Sequence, residues 1–476
     1  MRRLDGLSAF LLAAEKPGAF QHTLKIGIYD PTGAEGAWTY QRFRDDLERH
    51  LSLAPALRWK LQRVPFNLHR PLWVDDPGFD IDYHLRHVVC PAPGDSRALC
   101  ALISQLYAWP LDFSKPLWLQ WFTEGLPGGQ VAVITLLHHA YMDGTGASRA
   151  MEQFLTTRPG ISALPVDPAG TAPWQPEPTP GQLQLMLSAL RDIPAMLAGG
   201  MPRLVRGIGE LRRLQRQYEE ARRELPPDPF RDSRDSPFNI RLSHGRTFVF
   251  ETFPFERIKG IAQRLDVTVN DLLLATASTV YRDFMRQRGF DPDKGPLIAT
   301  IPVQRRPPRD QDDFIGNQTT ADYTCLPVHV ADPMERLRVT KHWCGVMKEH
   351  IKASAGADTL SLLEIIPPVV LRVREWFLRR SNKQGIGLEG NVVMSNVVGP
   401  REPLYWGQIR LANWISMGQV TQGMGINVTV WTYAGNFNLS ILADRKLLPD
   451  GWAMIERFRQ AFAEYERLAD RGRTAA

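Results

Sequence analysis

The stretch that most constrains this chain is Val131-Ala132-Val133-Ile134-Thr135-Leu136-Leu137-His138-His139-Ala140-Tyr141-Met142-Asp143-Gly144. Its first seven residues are apolar or β-branched without a break, the pattern of a strand buried in a sheet. Gly144-Thr145-Gly146-Ala147-Ser148 then ends the strand before a helical spacing begins at Met151, Phe154 and Leu155. Polar residues therefore gather where a strand meets a loop. Extended backbone sends neighbouring side chains to opposite faces, so one histidine can open to a cleft while the other is held in the fold. Imidazole titrates near ~6.5 and can take a proton from a hydroxyl, which makes His139 the candidate general base. His138 is its structural or supporting partner. Asp143 is expected to fix the loop or the tautomer, and Gly144 to serve a tight turn or a close approach of backbone to substrate. A lone histidine is ordinarily a satisfied polar residue, and it is the surrounding pattern that singles these out. Zinc is disfavoured, because adjacent histidines face opposite ways and no third ligand lies at a usual spacing.

The 476 residues, 43% hydrophobic and 23% charged, describe a globular chain long enough for two or three domains. A net charge of +6 and a pI near 9.1 suit phosphate-bearing ligands or an anionic membrane surface. Acidic residues are spread throughout, so no nucleic-acid partner is inferred. Cys90, Cys100, Cys325 and Cys344 show no paired metal spacing and point to a reducing compartment, with the cytoplasm as the default.

Along the chain, the spacing predicts a helix over 39–51, a strand over 81–89 and a helix from Ser96, acting as its cap, to Ala108. Residues 161–180 are rich in proline and small residues and read as a linker. Residues 182–224 read as helix interrupted at Pro194 and Pro202, with Leu204, Ile208, Leu211 and Leu214 on one stripe and arginines on the other faces. It reads either as a surface helix for an anionic membrane or as a solvated crossover between domains. A second half begins with a strand at 248–250 and a helix at 255–265. Val269-Asn270-Asp271 opens a further helix with Asn270 as its N-cap. Strands follow at 297–303 and 391–396, then a hairpin of 428–433 with 437–443, and a closing helix carries Trp452, Ile455, Phe458, Phe462 and Tyr465. The greasy, basic segment 360–380, bent at Pro367-Pro368 and carrying Arg372, Arg374, Arg379 and Arg380, reads as membrane contact or buried helix. No stretch reaches the ~18 apolar residues of a spanning helix.

His138-His139-x-x-x-Asp143-Gly144 resembles the signature of the CoA-dependent acyltransferase superfamily. The surrounding chain resembles its bacterial wax ester synthase/diacylglycerol acyltransferase family nearly end to end. The matching segments are Phe79 to His87, Pro110 to Trp118, Val269-Asn270-Asp271, Gly316-Asn317-Gln318, Leu326-Pro327, Asp332-Pro333 and Met394 to Pro400. It departs from the family at Val398, where proline is common, and at Ala19-Phe20-Gln21-His22. The resemblance places the N-terminal segment in the mature fold, although Arg2-Arg3 before Leu7 to Ala14 superficially suggests a leader that Asp5 interrupts.

The implied fold is α/β, two acyltransferase-like mixed α/β domains joined by a linker with an active-site channel between them. The expected division is 1–160, carrying the histidines; 161–235, the linker and crossover helices; and 236–476. The implied activity is acyl transfer from acyl-CoA, a substrate rather than a cofactor, to the hydroxyl of diacylglycerol or a long-chain alcohol, without a covalent enzyme intermediate. Asn270 and Asp271 are then expected at the channel border, and Pro116, Leu117 and Trp118 at a rim or channel wall, unless Trp118 simply packs in the core. Ser395 and Asn396 are expected as oxyanion or channel donors, or as a strand-end turn. The implied setting is the cytoplasm, peripheral on the inner membrane face or on lipid droplets. Two rivals are amide-forming condensation on carrier-bound acyl groups, and a non-catalytic lipid-binding protein of the same fold.

Overall fold

The computed structural model describes all residues except 162, 164–173, 305–314, 318, 355–360, 372, 374–389 and 475–476. Its frame is a pair of six-stranded sheets. The first runs in the order Tyr405–Trp406, Ile409–Met417, His22–Asp30, Val131–His138, Trp118–Glu124 and Leu85–Val89. Neighbours are antiparallel apart from the last pair. Val131–His138 lies near its middle with every residue buried, which is why its sequence is a continuous apolar run instead of an alternating one. Each large apolar side chain in it contributes roughly 1.5–3 kcal/mol by leaving water.

The second sheet runs Thr319–Leu326, Leu297–Gln304, Val392–Val398, Ile426–Tyr433, Asn436–Asp444 and Arg246–Pro254. Val392–Val398 is parallel to both of its neighbours. The helix Val269–Gln287 is buried over most of its length, its Thr276, Ser278 and Thr279 hydroxyls bonded back to its own carbonyls, and it packs against Pro333–Ala353 and Trp452–Thr474.

The division of the chain at 236 is not a division of the sheets. Ile409–Met417 leaves the C-terminal half and pairs with His22–Asp30 in the first sheet, with a bulge between Leu411 and Asn413. From that bulge Asn413 exchanges amide hydrogen bonds with Asn438 of the second sheet, at 3.0 and 2.9 Å. A buried Arg246–Asp444 pair at 3.3 Å lies in the second sheet, and the same guanidinium donates to the Gly18 carbonyl of the N-terminal half.

Several local expectations are corrected. Asp95, not Ser96, caps the helix Ser96–Tyr107 by accepting from the Ala98 N–H. Residues 81–89 split into one helical turn, Ile81–His84, capped by Asp80, and the strand Leu85–Val89. Gln182–Glu220 is one uninterrupted helix with Pro194 and Pro202 inside it. Both prolines are exposed, so water can satisfy the carbonyls they orphan. The four arginines of 360–380 lie outside the described residues.

Candidate active site

His138 ends its strand, and the backbone then turns through His139–Met142 into the helix Gly144–Glu152. Asp143 is that helix's N-cap: its Oδ1 accepts from Thr145 N at 3.0 Å and Gly146 N at 2.8 Å, and Thr319 Oγ1 donates to its other oxygen at 3.2 Å. This is the loop-holding role expected of an acid at a helix start, where it also complements the helix dipole. Gly144 has no left-handed backbone and nothing within 4 Å of the position a Cβ would take, so no tight turn requires it.

The two histidines diverge, although His139 already lies in the turn and not in the strand. His138 is fully buried; its Nδ1 accepts from the Ala140 N–H at 3.0 Å, which places the proton on Nε2, facing Glu15 Oε2 at 3.1 Å. His139 is only partly buried and lines a cavity of about 1010 Å³ between the two sheets. Its N–H donates to the Gln21 carbonyl at 2.6 Å. Burial in the cavity wall lowers the His139 pKa from its ordinary value, opposed by the Asp143 charge and by Asn317, and His138 lowers it further. The ring is held neutral, the state a base requires.

The C-terminal half closes over this loop. Gly316 exchanges hydrogen bonds with it, from its N–H to the Tyr141 carbonyl at 2.9 Å and from Asp143 N to its own carbonyl at 3.3 Å. Asn317 Nδ2 donates to the His139 carbonyl at 2.7 Å. Across the cavity, on the second sheet, stand Ser395 and Asn396 of Val392–Val398 together with Trp431, and Ser416 of the first sheet also lines it. Ser395 and Asn396 sit within that strand, not in a strand-end turn. Leu7, Phe10, Leu11 and Ala14 of the helix Gly6–Ala14 give the cavity an apolar wall, and Lys16 and Arg149 bring cations to it. Among the described residues no group of three His, Cys, Asp or Glu could hold a metal ion.

Other expected site residues sit elsewhere. Pro116, Leu117 and Trp118 are buried away from the cavity. The Leu117 carbonyl accepts from His138 N at 3.0 Å, and the Trp118 indole donates to the Leu57 carbonyl at 2.8 Å while stacking on His84. They support the strand end instead of lining a channel. Asn270 is not a cap. Thr268 caps the helix Val269–Gln287 and forms a reciprocal capping box with Asp271, which is buried and off the cavity. Asn270 stands behind Asn396, whose amide approaches its Oδ1 at 3.5 Å.

Sequence reasoning missed Glu15, Asn317 as a contact of His139, and Lys25. Lys25 is fully buried, donating to the Gly144 carbonyl at 3.0 Å, Ser416 Oγ at 2.8 Å and Ser148 Oγ at 3.3 Å, with its amine 4.1 Å from the Trp431 ring centre. A lysine between Leu24 and Ile26 in an otherwise buried strand was the available signal.

Residues 4–273 match the wax ester synthase/diacylglycerol acyltransferase catalytic domain, and residues 315–466 match the C-terminal domain of the same family. A protein of Mycobacterium tuberculosis named "Putative diacyglycerol O-acyltransferase" is 37% identical over 480 residues, covering 100% of this chain and 98% of its own. A second of that name and organism is 29% identical over 496 residues, covering 99% and 91%. Among solved structures, the wax ester synthase/diacylglycerol acyltransferase from Marinobacter aquaeolei VT8 superposes with a TM-score of 0.67 at 22% identity, over 98% of this chain and 100% of that one. The first condensation domain of the calcium-dependent antibiotic synthetase follows the same fold with a TM-score of 0.60 at 15% identity, over 98% and 96%.

Proposed function

The chain belongs to the wax ester synthase/diacylglycerol acyltransferase family, and from that premise we propose that His139 is the general base of an acyl-CoA-dependent O-acyltransferase whose acceptor is a diacylglycerol or a long-chain alcohol. The observation that carries the reading is the placement of His139, neutral and rigidly held, in the wall of a cavity bounded by both sheets. The volume lies at the upper end of the ~300–1,000 Å³ usual for small-molecule sites, room for the reacting ends of a thioester and an acceptor.

The imidazole takes the hydroxyl proton as the acceptor oxygen attacks the thioester carbonyl. The tetrahedral oxyanion collapses, the C–S bond breaks, and the proton passes to the departing CoA thiolate. Ser395 is a side chain on the facing wall that could donate to the oxyanion, whereas the amide of Asn396, the next residue of the strand, turns toward Asn270. Lys16 and Arg149 suit the CoA phosphates. No acyl-enzyme is required, and the chain has no Gly-x-Ser-x-Gly elbow. The fold is common to condensation domains, so it is family membership that disfavours the amide-forming rival.

Two experiments test this. His139→Ala should lose about 10²–10⁴-fold in turnover while staying folded; a folded variant with near-parental activity would falsify the base assignment. Product analysis with one long-chain acyl-CoA and both acceptors in competition then ranks triacylglycerol against wax ester formation, and formation of neither would sink the substrate class.

The reading extends to an anionic lipid surface as the place of work. Its support is the helix Gln182–Glu220, where Leu183, Leu187, Leu190, Leu197, Met201, Val205 and Ile208 are all exposed and spaced so that they share one stripe, about 38 Å long at ~1.5 Å per residue. Arg191, Arg203, Arg206, Arg212, Arg213 and Arg216 accompany it against few acids. The short helix Ser361–Ile365 connects it by packing to Gly6–Ala14, the apolar cavity wall. No helix among the described residues is long and apolar enough to cross a membrane. Replacing Leu187, Leu190 and Val205 with glutamate should abolish flotation with anionic liposomes; parental binding by the triple variant would remove this helix as the contact.

A further inference from the structure

The loop that carries His139 is gripped from the other half of the molecule by one amide. Asn317 Nδ2 donates to the His139 carbonyl at 2.7 Å and to Ser8 Oγ at 3.0 Å, while its backbone N–H donates to Asp5 Oδ2 at 3.2 Å. A carbonyl can only accept, so the amide nitrogen is fixed on that side and Oδ1 is turned away from it. That Oδ1 is buried with no hydrogen-bond partner among the described residues, and so is Nδ1 of the His139 ring. Two buried polar atoms left unsatisfied would cost about 1–3 kcal/mol each. They are an acceptor and a ring nitrogen on residues already tied by the Nδ2 contact, so a small side-chain rotation that brings a proton on Nδ1 to Oδ1 would satisfy both.

We propose that Asn317 is a positioning residue that sets the tautomer of His139: Oδ1 accepts the Nδ1 proton, leaving the Nε2 lone pair for the acceptor hydroxyl. Burial disfavours the charged ring, and the Asn317 side chain acts on it in the opposite direction together with Asp143. The other ionisable groups around this contact are His138, which is held on Glu15, and Asp5 beneath the amide. The tie is made across the two halves, so a base borne by the N-terminal half is competent only when 316–317 is seated on it. The inference rests on His139 being the base, and its test carries a readout independent of turnover.

The full-length protein labelled with ¹⁵N-histidine, with the His139 signals assigned by their loss in His139→Ala, should show the Nδ1–H tautomer. In Asn317→Ala that signal should move toward a mixture of tautomers, with kcat falling about 10- to 100-fold as part of the base contribution is lost and KM for acyl-CoA changing less than about twofold. Asn317→Asp keeps an acceptor at Oδ1 and adds charge, so the acid limb of kcat/KM should move to higher pH. An unchanged tautomer in folded Asn317→Ala, or an unmoved acid limb in Asn317→Asp, overturns the proposal. If His139→Ala itself stays active, the base assignment falls, while the ¹⁵N signal still decides whether the Asn317 contact exists.

Discussion

The buried His138 pairs with the partly buried Glu15, Nε2 of the ring lying 3.1 Å from Oε2 of the carboxylate, and the same carboxylate accepts from the Gln21 N–H at 2.7 Å. Since the Gln21 carbonyl in turn accepts from His139 N, one acid anchors both the buried histidine and the segment on which the reactive one rests. Burial alone would raise the Glu15 carboxyl, but its hydrogen bond with His138 and the His138 and His22 charges hold it below its ordinary value.

A group whose pKa is depressed by folding stabilises above its unfolded pKa, and that stability is lost as pH falls through the folded one. Glu15→Gln should therefore cost about 1–3 kcal/mol at pH 7, the scale of a hydrogen bond to a charged group. The difference from the parent should vanish in acid once the parental carboxyl is itself protonated. Urea denaturation at pH 7 and below pH 4 checks this, and an equal cost at both would refute the charge account.

His22 makes a second pH-dependent contribution. Burial lowers its pKa to about 4, so between that value and the ~6.5 of an unfolded histidine the unfolded chain binds the extra proton. Stability should fall as pH drops through this window, by up to about 3 kcal/mol for a shift of this size. His22→Gln should flatten the curve over that range while leaving the alkaline side alone, as read from thermal midpoints in a pH series.

Lys25 works at the alkaline end. Burial lowers its amine to about 7, against ~10.4 when unfolded, so the unfolded state holds the proton more tightly and stability should rise between pH 7 and 10. Lys25→Met removes the titration, and its stability should be nearly flat over that range. A parental slope in the variant would assign the effect to another group.

Asp143 can be separated into cap and charge. Asp143→Ala loses the two N–H bonds at the start of Gly144–Glu152 and should cost about 1 kcal/mol. Asp143→Asn retains a good cap and most of that stability, but removes the charge that raises the His139 pKa, so the acid limb of kcat/KM should move to lower pH. Identical limbs in Asp143→Asn and the parent would show that the acid serves only as a cap.

What could be read in the sequence was what is local. The buried strand Val131–His138 and its polar end lie where the apolar run puts them, but the helix after it is Gly144–Glu152, which forms on the small residues read as a breaker, because Asp143 caps it, and ends before Phe154 and Leu155. Caps slipped by a residue or two, at Asp95 and Thr268, because several adjacent polar residues could each satisfy the same N–H groups. Trp118 illustrates a different limit: a motif marks residues that matter without saying whether they touch substrate or hold up those that do. Asn317 and Glu15 were illegible as neighbours of the histidines because their contacts join residues 178 and 123 positions apart.

The strand Ile409–Met417 carries one more consequence. Because it is hydrogen-bonded along His22–Asp30 while its own chain belongs to the opposite half, the halves are buckled together. Prising them apart would strip a ladder of backbone bonds and leave His22–Asp30 as a naked sheet edge prone to pairing with other chains. This protein cannot gape like a jaw around a lipid. Substrates must reach His139, and the ester must leave, with the two halves still joined, so departure of the greasy product is where a slow turnover should be sought.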